Sequence, residues 1–512
     1  MSTSQPATAA DYLRKIVAAP VYRAAKHTPI NPMPGLTSRI SNNVLVKRED
    51  LQEVHSFKIR GAFNRMAQLT EAEKRAGVIA ASAGNHAQGV ALSGRELGVQ
   101  TTIVMPVITP QIKIEAVQGY GGTVLLHGAN FDESKAKAME LAESEGMTFV
   151  HPFDDEAVIA GQGTIGLEIF QDVPDVDRVF VPIGGGGLAA GVAVLLKQLN
   201  PDIEVIGVEP EESACYAEAV KQGAPVELAR TSLFAEGVAV KRIGDENFRL
   251  LQEFFDEVIT VSSDEISAAI KDVFDDTRAI AEPAGAVALA GLKRYVATNN
   301  IMGETLVHVV SGANVNFHSL RYVSERAELG EGSEAIFGVT IPEAKGAFLD
   351  FCNVLGNRAV TEFSYRVGEQ DLPAKIFVGV QLKGGDSERQ AILADLEAAD
   401  YGVVDLSDDD VAKEHVRYMI GGQPPKSVNE NVFAFEFPEH PGALMRFLEI
   451  LGTRWNVSAF HYRSFGMDYG RILAAFENVA DDPEFEEHVD KLGYHATDVS
   501  DSPAYRFFLQ NQ

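Results

Sequence analysis

Between about residues 40 and 320 the sequence alternates short β-branched runs with longer stretches of helical spacing, and this alternation constrains the fold most. Val44-Leu-Val, Gly77-Val-Ile-Ala-Ala, Thr101-Thr-Ile-Val-Met, Thr123-Val-Leu-Leu, Arg178-Val-Phe-Val-Pro-Ile, Glu204-Val-Ile-Gly-Val and Leu306-Val-His-Val-Val read as buried strands. Ala87 to Leu97 and Leu188 to Leu199 carry helical spacing. Strands alternating with helices predict an α/β fold, with parallel sheet covered on both faces. Ligands of such sheets sit at the carboxyl ends of the strands, so the loops after these runs are read for chemistry first.

Beyond the polar stretch Glu328-Leu-Gly-Glu-Gly-Ser-Glu334, read as a linker, the texture changes and a repeat appears. Pro342, Glu343, Gly346, Ala347, Phe351, Leu355, Gly356 and Arg358 recur 96 positions later. One added residue then moves the offset to 97, pairing Val360, Phe363, Tyr365 and Arg366 with Val457, Phe460, Tyr462 and Arg463. Each copy reads as strand, turn, amphipathic helix and strand. The expected organisation is a first domain over 1–330 and a second over 331–512, the latter holding α+β modules at 336–407 and 431–502.

The chain has 512 residues, 44 Lys+Arg against 73 Asp+Glu, and a formal charge of −29. That balance repels nucleic acid and anionic membrane surfaces, so neither is an expected partner. An anionic small substrate then needs local donors in a cleft. Cys215 and Cys352 form neither a disulfide framework nor a zinc motif. No basic and apolar leader opens the sequence and no apolar run approaches bilayer length, so a cytoplasmic location is expected.

Four motifs carry chemistry. Gly184-Gly-Gly-Gly187 follows one strand and opens a helix, where backbone N–H groups converge on one anion and the helix amino end reinforces them. A plain strand-to-helix turn needs one or two glycines rather than four. Neither dinucleotide nor nucleotide fingerprint is matched, so a single phosphate group fits best. Ser56-Phe-Lys-Ile-Arg-Gly-Ala62 offers Lys58, a surface charge by default but a nucleophile or base if apolar neighbours lower its pKa. Ser82-Ala-Gly-Asn-His-Ala-Gln-Gly89 reads by itself as a helix cap, and Ser311-Gly-Ala-Asn314 as a turn. Together they bring a lysine, an amide and a hydroxyl to a phosphate loop.

This combination resembles the fold-type II pyridoxal-phosphate enzymes, and within them the biosynthetic threonine deaminases (threonine ammonia-lyases), from about residue 20 to the end. Phe234-Ala-Glu-Gly-Val-Ala-Val-Lys and Glu282-Pro-Ala-Gly-Ala are also similar to segments of that family. The tail repeat resembles paired ACT-like regulatory modules.

The resemblance implies pyridoxal 5′-phosphate as cofactor, linked covalently to Lys58, with Phe57 beside the ring and Asn85 on its 3′-oxygen. Gly184, Gly185, Gly186, Gly187 and Leu188 would hold the phosphate, and Ser311 would face the pyridine nitrogen. Ser82, Ala83, Gly84, Asn85 and His86 would cradle the substrate carboxylate through backbone groups, His86 having no chemical role. Lys58, freed by the substrate amine, would take the Cα proton. The implied reaction converts L-threonine, and also L-serine, to the 2-oxoacid and ammonia as the first committed step of isoleucine synthesis. Isoleucine would inhibit it, valine would oppose isoleucine, and the chain would assemble as a homotetramer. No metal site is expected, because the histidines lack ligand spacing and Arg230, Lys241 and Arg242 surround the segment near Glu236. Competing readings are a serine racemase, a serine dehydratase, a β-replacement synthase, and a non-catalytic amino-acid sensor. The regulatory tail opposes the first three, and intact Lys58, Asn85 and Ser311 oppose the last.

Overall fold

A computed structural model describes residues 7–509 except 233, 318, 343–346, 357, 366–372, 419–428, 439–445, 448–449, 452–453, 464–468 and 481. The chain divides into two compact units, Met1–Val315 and Asn316–Gln512.

In the first unit the predicted strands form two sheets, as the resemblance to a catalytic part with parallel-sheet subdomains implies. The larger has six strands in the order β1 (Ile30–Pro32), β2 (Asn43–Arg48), β10 (Thr305–Val310), β7 (Arg178–Pro182), β8 (Glu204–Pro210) and β9 (Glu257–Val261). All its pairings are parallel except β1 with β2. The smaller, wholly parallel sheet runs β5 (Thr123–Leu126), β4 (Thr101–Met105), β3 (Val78–Ala81) and β6 (Thr148–Phe149). Strands β1, β6 and β9 were not predicted: the first two are very short, and all three lie at sheet edges, where half-burial weakens the apolar signal. A core built on Val179, Val181, Val205, Val307 and Val309 backs the larger sheet; Val78, Ala80 and Ile103 anchor a second one at the smaller.

Helix Lys58–Ala67, which begins at the candidate lysine, is pinned by a buried charge cluster. Arg60 is fully buried; its guanidinium donates to Glu49 at 2.8 Å and to Glu168 at 2.5 and 2.9 Å. Lys47 Nζ donates to Glu168 at 2.6 Å, so two cations face two carboxylates away from water. Such a cluster holds its elements in one arrangement, because removing any member leaves an uncompensated buried charge.

In the second unit the repeat is structural. Strands β11 (Glu334–Ile341), β12 (Val360–Tyr365), β13 (Ala374–Gln381) and β14 (Gly402–Asp405) form an antiparallel sheet in the order β12-β13-β11-β14. Strands β15 (Glu430–Pro438), β16 (Val457–Arg463), β17 (Tyr469–Glu477) and β18 (His495–Asp498) repeat that order as β16-β17-β15-β18. Even a bulge recurs, between Val360 and Glu362 and between Val457 and Ala459. Beside each bulge a hydroxyl donates to a glutamate at the start of the central strand, Thr361 to Glu334 and Ser458 to Glu430. The modules share an apolar core in which Ile336 and Phe377 meet Val432, Leu473, Tyr505 and Phe508.

The stretch read as a linker is mostly regular structure. Helix Ser319–Gly330 runs into it and β11 starts at Glu334, leaving only three residues between. That helix lies in the second compact unit, whose limit precedes the expected one at 330. Arg366 lies outside the described residues, as do the side chains of Tyr365, Tyr462 and Arg463.

Candidate active site

A cavity in the first unit collects most of the residues the sequence singled out. Phe57, Lys58, Asn85, Gly184 to Leu188 and Ser311 all line it. The topology explains why. Strands β7 and β10 are parallel neighbours, so the glycine loop and Ser311 leave their carboxyl ends side by side. Strand β2 flanks β10 on its other side and leads to Lys58, where Phe57 N donates to Ser311 O at 3.1 Å. Asn85 comes from the other sheet, at the start of helix Asn85–Leu97.

Lys58 Nζ donates to Pro152 O at 3.1 Å and lies 5.1 Å from the centroid of the Phe57 ring. Burial pushes its pKa down to about 8, partly offset by the Glu282 carboxylate. An amine so placed has a sizeable neutral fraction near neutral pH, as a nucleophile or base requires.

The glycine loop is shaped for an anion. Its carbonyls are engaged by the protein: Gly184 O accepts from Cys215 Sγ at 3.4 Å, and Gly185 O from Asn247 Nδ2 at 2.7 Å. Gly186, at φ +93°, turns the chain into helix Gly187–Leu199, whose first amides have no intrahelical acceptor. Ser311 is buried, with its hydroxyl donating to Ala284 O at 3.2 Å.

The other predicted substrate contacts stand differently. Ser82, Ala83, Gly84 and His86 do not line the cavity, although they adjoin Asn85, which does. Ser82 Oγ accepts from Gly84 N at 3.2 Å, which folds the turn before the helix. The His86 ring is buried and its Nε2–H donates to Val150 O at 2.9 Å. Burial lowers its pKa to about 3, so the ring is neutral.

Sequence reasoning assigned no role to Pro152, Phe153, Gln162, Gly237, Val238 or Glu282, all of which line the cavity. Glu282 is the consequential omission. An acid just before Pro283 reads as an ordinary helix start, yet its side chain makes no cap bond and accepts from Asn85 Nδ2 at 2.7 Å. Glu236, the other acid near the site, is ion-paired with Lys113 at 2.7 Å. No cluster of three or more metal-ligating side chains occurs among the described residues.

Comparison with known proteins identifies the family. Residues 21–312 match the model for pyridoxal-phosphate dependent enzymes, and residues 325–416 and 421–509 match the C-terminal regulatory domain of threonine dehydratase. The chain is 61% identical to the L-threonine dehydratase biosynthetic IlvA of Escherichia coli (strain K12), over 99% of its own length and 100% of that protein. The chain belongs to the pyridoxal-phosphate-dependent threonine dehydratases. A mitochondrial threonine dehydratase of Saccharomyces cerevisiae is 44% identical over 98% of this chain and 89% of its own length. Among solved structures, the processed form of threonine deaminase isoform 2 from Solanum lycopersicum has a TM-score of 0.62 and 48% identity, covering 62% of this chain and 93% of that one. Serine racemase from Dictyostelium discoideum follows at 0.56 and 31%, covering 60% and 99%.

The chain is therefore a lyase with pyridoxal phosphate as its cofactor, and the reading as a non-catalytic sensor falls away. The cavity fits that group. A neutralisable amine, an N–H loop open to a phosphate and a buried hydroxyl meet in one cavity.

Proposed function

We propose that this enzyme deaminates L-threonine, and also L-serine, and that threonine deamination opens isoleucine synthesis. The observation that carries the reading is the meeting of Lys58, Asn85, the glycine loop and Ser311 in one cavity of a chain that also bears the regulatory repeat.

Lys58 would hold the cofactor covalently, Phe57 would pack beside its ring, Asn85 would donate to its 3′-oxygen, and the N–H groups of Gly184 to Leu188 would take its phosphate. Ser311 would face the ring nitrogen, where a hydroxyl, unlike a carboxylate, does not favour protonation. When bound, the cofactor withdraws electrons from the substrate Cα, which makes the Cα proton acidic and lets the β-hydroxyl leave as water. Lys58 Nζ, once free, would accept the Cα proton, and the proton gained there would balance the one the β-hydroxyl takes up as it leaves as water. The low pKa of this amine supports that role, because a permanently charged ammonium cannot take a proton. Backbone N–H groups at the start of helix Asn85–Leu97 would receive the substrate carboxylate, overcoming the strongly negative field of the whole chain. Hydrolysis of the released enamine gives 2-oxobutanoate and ammonia.

The second unit would be regulatory. Isoleucine would bind it and inhibit, and valine would oppose isoleucine by favouring the other conformational state. A catalytic domain over 1–330, modules at 336–407 and 431–502, a homotetramer and a cytoplasmic location complete the reading. No helix among the described residues is long and apolar enough to cross a membrane.

The test is 2-oxoacid release from threonine and serine, with and without isoleucine, by the full chain and by Lys58→Ala. Borohydride should fix the cofactor to Lys58, and the variant should lose turnover while keeping its fold. Fixation at another lysine would refute the assignment.

A further inference from the structure

Glu282 stands at the amino end of helix Pro283–Asn299 but does not cap it. Its side chain turns into the cavity, 8% exposed, where Oε1 accepts from Asn85 Nδ2 at 2.7 Å. The other end of the Asn85 amide is also fixed, since Asn85 Oδ1 accepts from Asn314 Nδ2 at 2.6 Å. Asn314 Nδ2 in turn donates to Val54 O at 2.8 Å. Room for the carboxylate depends on Gly312, where a Cβ would lie 2.5 Å from Glu282 Oε1. An amide has two N–H bonds and one carbonyl oxygen. With the oxygen committed to Asn314 and one N–H to Glu282, a single N–H of Asn85 remains for anything bound in the cavity.

We infer that Glu282 is a positioning residue: its buried carboxylate fixes the Asn85 amide so that the remaining N–H serves the cofactor's 3′-oxygen, and its charge faces the Lys58 amine. The inference rests on the reading of Asn85 as a cofactor ligand.

Electrostatics agree with this geometry. Burial pushes the Glu282 carboxyl up to about 7, against the hydrogen bond from Asn85. Its surroundings also include Glu236 and the Lys113 cation paired with it. The Lys58 charge in turn adds to the burial that lowers the pKa values of His86 and His151. Near pH 8 Glu282 is largely ionised and opposes the burial that lowers the Lys58 pKa. Without it the amine should titrate lower still.

The test uses the full-length chain as Glu282→Gln, Glu282→Ala and Asn85→Ala. Two quantities are read: absorbance and affinity of bound pyridoxal phosphate, and the pH midpoint for labelling Lys58 with an amine reagent in the cofactor-free chain, followed by mass spectrometry. Glutamine keeps an acceptor for Asn85 but no charge. It should hold cofactor affinity within about threefold, while the labelling midpoint falls by roughly one pH unit. Alanine removes the acceptor, so affinity should drop on the order of tenfold and the absorbance should change as in Asn85→Ala. Glu282→Ala with wild-type affinity and spectrum, beside an altered Asn85→Ala, would overturn the positioning role alone. An unchanged labelling midpoint in Glu282→Gln would overturn the charge role, even if the alanine variant did not fold. Wild-type behaviour of Asn85→Ala would remove Asn85 as a cofactor ligand, and this inference with it.

Discussion

Phe153 occupies the space that a side chain on Gly185 would need: a Cβ there would lie 2.2 Å from Phe153 Cγ. The ring is itself part of the cavity wall and packs edge-on against His151, with centroids 4.8 Å apart. The glycine loop therefore has its shape because an aromatic ring closes over it. Gly185→Ala must push the ring or the loop aside, at an overpacking cost of about 1–3 kcal/mol. Cofactor affinity, measured by absorbance titration, should fall by roughly tenfold or more, with a lower Tm. Gly84→Ala is the contrast, since nothing lies within 4 Å of a Cβ there. It should keep stability and cofactor affinity, and any effect should fall on KM for threonine.

The charge cluster beneath Lys58 predicts a stability effect without a direct chemical one. Arg60→Met leaves Glu49 and Glu168 buried with Lys47 as their remaining cation. Breaking a buried network in this way costs about 3–5 kcal/mol. Urea unfolding should show the loss as a lower midpoint. A variant of wild-type stability would mean that water reaches the carboxylates.

Acid sensitivity should trace in part to His308. It is fully buried in the central strand β10, its Nδ1 has no hydrogen-bond partner, and burial lowers its pKa to about 3 from an ordinary 6.5. As pH falls below about 6.5 the unfolded chain binds a proton that the folded chain refuses until about pH 3. The sign is a loss of stability on acidification. Glu282, raised to about 7, acts oppositely, because the folded state holds its proton more tightly between about 4.5 and 7. His308→Leu isolates the first effect: its stability relative to the wild-type chain should improve steadily from neutral pH to about pH 5 in urea titrations. A constant difference would show that His308 does not contribute.

A fragment ending at Val315 follows the limit of the first compact unit and omits helix Ser319–Gly330. It should bind the cofactor and release 2-oxobutanoate without responding to isoleucine. Assay of the fragment with and without isoleucine decides the matter; retained inhibition would place the effector site in the first unit.

Much of this was legible along the chain. The runs that became β2, β3, β4, β7, β8 and β10 are rich in β-branched residues and almost unbroken, as strands covered on both faces must be, and the half-exposed edge strand β5 was legible from its Thr-Val-Leu-Leu run. The glycine loop, Lys58, Asn85 and Ser311 stand in short motifs whose meaning is local: a strand ends, a helix begins, and polar groups gather there. The offset of 96 positions set out two modules, and after the shift to 97 the same register brings out matching bulges that follow Val360 and Val457.

Tertiary structure alone decided how these pieces act on one another. Sequence determined that strands and helices alternate, but not which strands pair within each of the two sheets or that one cavity draws on both, because pairing depends on strands brought together from distant segments. It offered Asn85 but not its orientation, which is set by Glu282, 197 positions away, and by Asn314, 229 positions away. It offered Lys58 but not its lowered pKa, which arises from burial and from that same glutamate. Propensity and periodicity are properties of neighbours along the chain, whereas hydrogen-bond partners and the local dielectric belong to neighbours in space.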